Sequence, residues 1–243
     1  MSKLANAPLV EVIFELRWKI EPSEFETIQY LQADLYPHIR EQYPYREALE
    51  SLPIQYGINL PSHRFRREIK GYPLVQVGPG MISVNTTDET YFWDKFESEI
   101  SNVVGKLNQV YSFKESHNPQ AILQYIDFIK FDFEKNDILD FLKKKLHISI
   151  NHEQPFYKPT INAFNLNYGF QYKDPLGQLV FQISRGTNPR HGDGIAIQSS
   201  LSNRVVPKQK EIGEWLNKSH ELLSSMFKSM TSGELYNSFS NKK

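Results

Sequence analysis

The 243-residue chain carries 28 basic and 28 acidic side chains, so it has no whole-molecule field to draw it to nucleic acid or an acidic membrane. With 40% hydrophobic and 13% aromatic residues it is too apolar for a disordered chain, and it is long enough to bury a core. The absence of cysteine excludes disulfides, thiolate metal centres and a cysteine nucleophile.

From Pro8 to Lys19 the side chains alternate. Val10, Val12, Phe14, Leu16 and Trp18 fall on one face and Glu11, Glu15, Arg17 and Lys19 on the other, which predicts a half-buried strand. After Pro22 and Ser23, the helical spacing of Phe25, Ile28, Leu31, Leu35 and Ile39 predicts one amphipathic helix ending at Tyr43–Pro44. Three strands are expected next, near Ile54–Asn59, Phe65–Lys70 and Leu74–Asn85, with Gly78, Pro79 and Gly80 bending or bulging the third. From Thr90 to Tyr111 a narrow stripe of Trp93, Phe96, Ile100, Val103, Leu107 and Val110 predicts a long helix lying across a sheet or against a second helix.

The layout then repeats after Ser116–Pro119. Ala121–Phe133 alternates as a strand, with Leu123, Tyr125, Ile129, Phe131 and Phe133 on one face and Asp127 interrupting them. Ile138, Phe141, Leu142 and Leu146 mark a shorter helix. Strands are expected at Asn162–Tyr172 and Gln178–Arg185, flanking the turn residues Lys173–Gly177, and at Gly194–Ser200. Ile212, Trp215, Ser219, Leu222, Met226 and Met230 step like the first long helix, and Gly233 stands where a helix should end.

Strand, helix, antiparallel strands and long helix, written twice, is an α+β pattern. The expected architecture is one domain of two pseudo-repeats, about 8–115 and 119–232, with 233–243 as a tail. The repeats would share one continuous antiparallel sheet covered by helices on one face. The start of the chain lacks the apolar run of a signal peptide, and nowhere do roughly 18 apolar residues run together, so the reading is cytoplasmic with no membrane partner.

The opening block Ala7-Pro8-Leu9-Val10-Glu11-Val12-Ile13-Phe14-Glu15-Leu16-Arg17-Trp18 resembles the start of a sporadically distributed family of uncharacterised bacterial proteins. Leu123–Ile129, Val75-Gln76-Val77-Gly78 and the closing helix from Ser219-His220-Glu221 through Phe227 are similar to that family's pattern, which has Arg and Asn where this chain has Gln124 and Asp127. The resemblance implies no established activity. The family's patchy occurrence is like that of accessory or antiviral defence genes.

Glu11 and Glu15 share the polar face of the first strand and Asp127 interrupts an apolar face; together they are the candidate polar site, for a carboxylate-dependent hydrolase or nuclease. The ordinary reading is a solvated face for the glutamates and a structural, hydrogen-bonded role for Asp127. Arg64, Arg66 and Lys70, beside Phe65 and Tyr72, are the candidate phosphate contacts, set against a reading as a charged sheet edge. His191 and Asp193 in the loop 188–194 lack a nearby nucleophile. The seven histidines show no metal-ligand spacing, and no phosphate-loop, dinucleotide or nucleophile-elbow string occurs. Trp93, Phe96, Trp215, Met226, Phe227 and Met230 on the two long-helix seams are the candidate ligand- or partner-binding residues, set against plain core packing.

The resulting expectation is a non-enzymatic binding protein without cofactor or metal, working through a protein partner or self-association. Its alternative is an apolar small-ligand-binding protein with a pocket under the long helices.

Overall fold

The computed structural model describes residues 4–49, 60–151, 161 and 163–240. The strands are β1 (Leu9–Arg17), β2 (Tyr45–Ala48), β3 (His63–Arg66), β4 (Leu74–Gly78), β5 (Met81–Thr87), β6 (Gln120–Lys130), β7 (Asn165–Lys173), β8 (Leu176–Asn188) and β9 (Gly192–Arg204). The helices are α1 (Phe25–Ile28), α2 (Leu31–Ile39), α3 (Trp93–Val110), α4 (Ile138–Lys145), α5 (Gln209–Met230) and α6 (Glu234–Ser240). All nine strands join one sheet in the order β2-β3-β4-β5-β1-β6-β9-β8-β7, and every pairing is antiparallel.

The opening strands of the two halves, β1 and β6, lie side by side at the centre. Outward from β1 run β5, β4 and β3; outward from β6 run β9, β8 and β7, in the same relative order. β2 extends the first half by one strand. Each half also places a short helical segment after its opening strand and a long helix after its last, α3 and α5.

The apolar sides of the strands decide where the helices go. Val12, Phe14 and Leu16 stand in register with Val84 and Ile82 on one flank and Leu123 and Ala121 on the other, forming a single buried face. Phe96, Ile100, Val103 and Leu107 of α3 and Ile212, Leu216 and Leu223 of α5 cover it. A second cluster, with Phe131, Phe133, Leu142, Phe181, Ile183, Ile195 and Ile197, fills the far end of the second half, and Met226 packs on both. Replacing a fully buried ring such as Phe14 by Ala would cost about 3–5 kcal/mol, because neighbours in a close-packed core relax only partly into the space.

Several expected boundaries move. Leu74–Asn85 is not one bent strand: Pro79–Gly80 is a two-residue hairpin turn between β4 and β5, with proline supplying the first turn position and Gly80 the positive φ of 66° at the second. Gly78 is needed for a different reason, since a Cβ there would stand 2.0 Å from the carbonyl oxygen of Leu60, which crosses the end of β4. β3 ends at Arg66, because Arg67–Lys70 is already turning, with Lys70 at φ 59°.

The first helix is split into α1 and α2 at Gln29–Tyr30, and β2 has no counterpart in the expected elements. β8 and β9 run longer than expected, so their connection shrinks to a tip at Pro189–His191. Residues expected as a tail form α6, whose buried Phe239 stacks on Phe227. The strand expected at Ile54–Asn59 lies outside the described residues, as do His152 and the first residue of the Asn162–Tyr172 strand.

Candidate functional site

β6 brings Tyr125 and Asp127, two positions apart, to the helix-covered face, where Tyr125 pairs with Val12 and Asp127 with Ile197. The β1 side of this point is irregular: Leu9 pairs with Asp127 but Glu11 with Ile126, so the chain bulges at Val10 beside the carboxyl. Bulges re-aim side chains and recur next to functional sites.

Three aromatic groups converge above this point. The Tyr125 hydroxyl lies 2.8 Å from the Tyr91 hydroxyl and 2.7 Å from His220 Nδ1. Tyr91 comes from the turn before α3 and meets both Tyr125 and Phe96 edge to face. His220 comes from the middle of α5, under the Trp93 ring, which stacks on it at 4.0 Å and 10°. Trp93 is itself held, its Nε1 donating to Asn217 Oδ1 at 2.8 Å.

Burial sets the electrostatics. It pushes the Asp127 carboxyl up to about 7, with no opposing charge to hold it down. It also raises both phenols, and in each the Asp127 charge adds to the rise. His220 is lowered to about 4, first by burial and then by the positive charge of Lys228, so the imidazole is neutral near pH 7. The Tyr125 hydroxyl, as the stronger donor, donates its hydrogen bond to Nδ1, which leaves the imidazole N–H on Nε2. The three groups therefore form a neutral chain from Tyr91 through Tyr125 to His220.

Asp127 has no place in that chain. Its side chain is 6% exposed and makes no hydrogen bond among the described residues. Tyr125, by contrast, retains accessible surface although it stands on a central strand of the covered face, and so do Leu9, Tyr91, His220 and Met226. The helix cover is thus incomplete around Tyr125, with the aromatic cluster and Asp127 on the same face of the sheet.

The other sequence candidates are placed differently. Glu11 and Glu15 point to the face away from α3 and α5, on the opposite side of the sheet from Asp127, so the three-carboxylate hydrolytic site is not formed. Glu11 Oε1 accepts from Asn85 Nδ2 at 2.8 Å at the end of a bonded ladder through Ser83, Gln76 and Arg64, and Glu15 pairs with Arg17 at 2.6 Å. Arg64 and Arg66 do share that face, but Lys70 lies in the turn and cannot complete a phosphate-binding row. Arg66 already pairs with Glu47 and donates to the Gly71 carbonyl.

Asp193 is paired with Arg185, while His191 stacks on Phe128, so that loop holds no His–Asp pair. Of the seam residues, Phe96 and Trp215 are buried, Trp215 donating to the Leu176 carbonyl. Met226 and Met230 pack on the second core and Phe227 on Phe239, while Trp93 stacks on His220 and Phe96 meets Tyr91 at the site.

Sequence reading missed Tyr91, Tyr125 and His220 as a group. The available signals were the i, i+2 relation of Tyr125 to Asp127 and a histidine next to Ser219 on the α5 seam.

Among the described residues Glu21, Glu24 and His117 come close enough to suggest a metal centre, but the positions for positive charge are taken. Lys114 Nζ lies 3.1 Å from Glu24 and 3.6 Å from Glu21. His117 Nδ1 accepts from the Lys114 amide, so its Nε2–H donates to Glu24.

No family model matches the chain, and no curated protein matches it. Among solved structures, the di-domain ARO/CYC BexL from the BE-7585A biosynthetic pathway aligns over 96% of this chain and 99% of its own, at 10% identity and a TM-score of 0.21.

Proposed function

We propose that the chain is a non-enzymatic binding protein for a small organic molecule, held over the central strands by Asp127, Tyr91, Trp93, Tyr125 and His220. The observation that carries this reading is the buried carboxyl of Asp127, without a hydrogen bond among the described residues, on the same face as the partly exposed Tyr125 and His220. Leaving such a group without a hydrogen bond costs about 1–3 kcal/mol, and a buried carboxyl in that state calls for a role. Aromatic walls with a few convergent polar atoms are the usual composition of a small-molecule site.

Native mass spectrometry of the protein purified from its own cells tests the reading, with Asp127→Leu alongside. The expected result is an adduct that leaves on denaturation and is absent from the variant. Wild-type protein that carries no adduct, and whose Tyr125 and His220 NMR signals stay unmoved through a metabolite library, would remove it.

A second reading, self-association, is favoured by the sheet edge. β7 is nine residues long, and Tyr168 and Phe170 stand 39% and 48% exposed. Antiparallel pairing with its own copy about Gly169 would set Tyr168 opposite Phe170 and Asn167 opposite Gln171, where aromatic and amide cross-strand pairs stabilise a sheet. Sedimentation equilibrium should show a dimer that Phe170→Lys dissociates; a monomer at all concentrations would end this reading.

A further inference from the structure

We infer that the molecule bound at this site is a small organic cation, an amine or ammonium on an apolar or aromatic body, with Asp127 as its counter-ion. The inference rests on the small-ligand reading above and deepens it by naming the chemical class.

The first argument is the balance of donors and acceptors. The hydroxyls of Tyr91 and Tyr125 are spent on each other and on His220 Nδ1. Trp93 Nε1 is spent on Asn217. What remains unspent there is the N–H of His220 Nε2 and the carboxyl of Asp127, and the carboxyl in its ionised form only accepts. A ligand that pairs with the ionised carboxyl must therefore bring a donor.

The second argument is charge. The titratable groups that act together with Asp127 are Tyr91 from the turn before α3 and Tyr125 on its own strand, both uncharged near pH 7. His220 on α5 is neutral as well. Lys228 on α5 and Asp94 on α3 are among the charges that act on the imidazole, and no cation among the described residues offsets the burial of Asp127. An anionic ligand would meet a like charge in a medium of low dielectric, and a neutral one would leave the carboxylate unpaired. A ligand cation supplies the missing partner.

The third argument is the walls. Tyr91 and Tyr125 stand edge to face, Tyr91 also meets Phe96, and Trp93 stacks on His220, so a cluster of rings stands on the same side of the sheet as the carboxyl. Such faces attract cations through the ring quadrupole, most strongly where water is excluded.

Proton balance then makes the inference measurable. Where the empty site holds Asp127 as the acid, an ammonium binds to the carboxylate and the displaced proton goes to solvent, one for each ligand. Where Asp127 is already ionised, binding releases none. Apparent affinity should therefore rise about tenfold per pH unit on the acid side and level off above the carboxyl's own midpoint.

The experiment is isothermal titration calorimetry of the full chain with benzylamine, methylammonium and tetramethylammonium from pH 5.5 to 8.5. It is run in two buffers of different ionisation enthalpy, with benzyl alcohol and benzoate as neutral and anionic counterparts. The expected result is binding of at least one cation with one proton released at pH 5.5 and none at pH 8.5, and little or no binding of the counterparts. Asp127→Asn, which keeps the shape, should lose the preference for the cation and its pH dependence.

Benzyl alcohol or benzoate binding as well as benzylamine would overturn the inference while leaving a small-molecule site. Cation binding unchanged in Asp127→Asn would overturn it too. If no cation binds, the inference fails; the native adduct then decides the broader reading separately.

Discussion

Asp127→Asn separates a carboxyl that is harmed by its surroundings from one that is supported by them. The group's ordinary value of 3.8 is raised to about 7 in the fold, so the folded state holds its proton when the unfolded chain has released it. The fold is therefore penalised by this residue as pH rises. The penalty is absent below 3.8, grows between 3.8 and about 7, and is complete above that. At about 1.4 kcal/mol per pH unit over roughly three units, the whole penalty is about 4 kcal/mol, of which about 2.7 kcal/mol develops between pH 5 and pH 8.5.

Asparagine has nearly the same shape and does not ionise in this range. Its amide has its own desolvation cost, but that cost does not change with pH. Urea unfolding of both proteins at pH 5 and pH 8.5 cancels every other titrating group in the difference. Relative to wild type, Asp127→Asn should become more stable by about 2–3 kcal/mol as pH rises across this interval, whichever protein is the more stable at pH 5. A difference that stays constant within about 0.5 kcal/mol would show that Asp127 titrates normally, and the burial argument would fall with it.

Two further outcomes follow from the aromatic chain. Tyr125→Phe deletes the hydroxyl shared by Tyr91 and His220, and leaving those two groups unsatisfied should cost about 1–3 kcal/mol by denaturant unfolding; a loss below about 0.5 kcal/mol would mean that water replaces it freely. His220, lowered to about 4, should remain neutral in an NMR titration from pH 8 down to pH 5. A midpoint near 6.5 would place its ring in water instead of under Trp93.

Fold class was legible because it depends on periodicity, which is local. Alternation in Pro8–Lys19 and Ala121–Phe133 and the three-and-four stepping of the long helices each record which side of an element avoids water. Their repetition led to the expectation of a single antiparallel sheet, and β1 and β6 do meet at its centre. Features decided by neighbours were not legible. Pro79–Gly80 has the composition of a bulge or of a turn, and only the pairing of β4 with β5 makes it a hairpin. The charged residues 63–70 read as one strand until the chain's need to turn back toward β4 shortened it.

The candidate site divides along the same line. The sequence by itself marked Asp127 as an anomaly, because a carboxylate in an apolar alternation has a cost that composition alone reveals. It also marked Glu11 and Glu15 as a pair on one face, and that much is correct. Only the tertiary structure decided that the glutamates and Asp127 face opposite ways. It alone brought Tyr91, Tyr125 and His220, drawn from three elements far apart in the chain, within hydrogen-bonding distance over the same strand. Strand parity can be counted in a sequence; which helix crosses above a given residue depends on how two apolar stripes settle on a twisted sheet, a packing outcome that no single segment encodes.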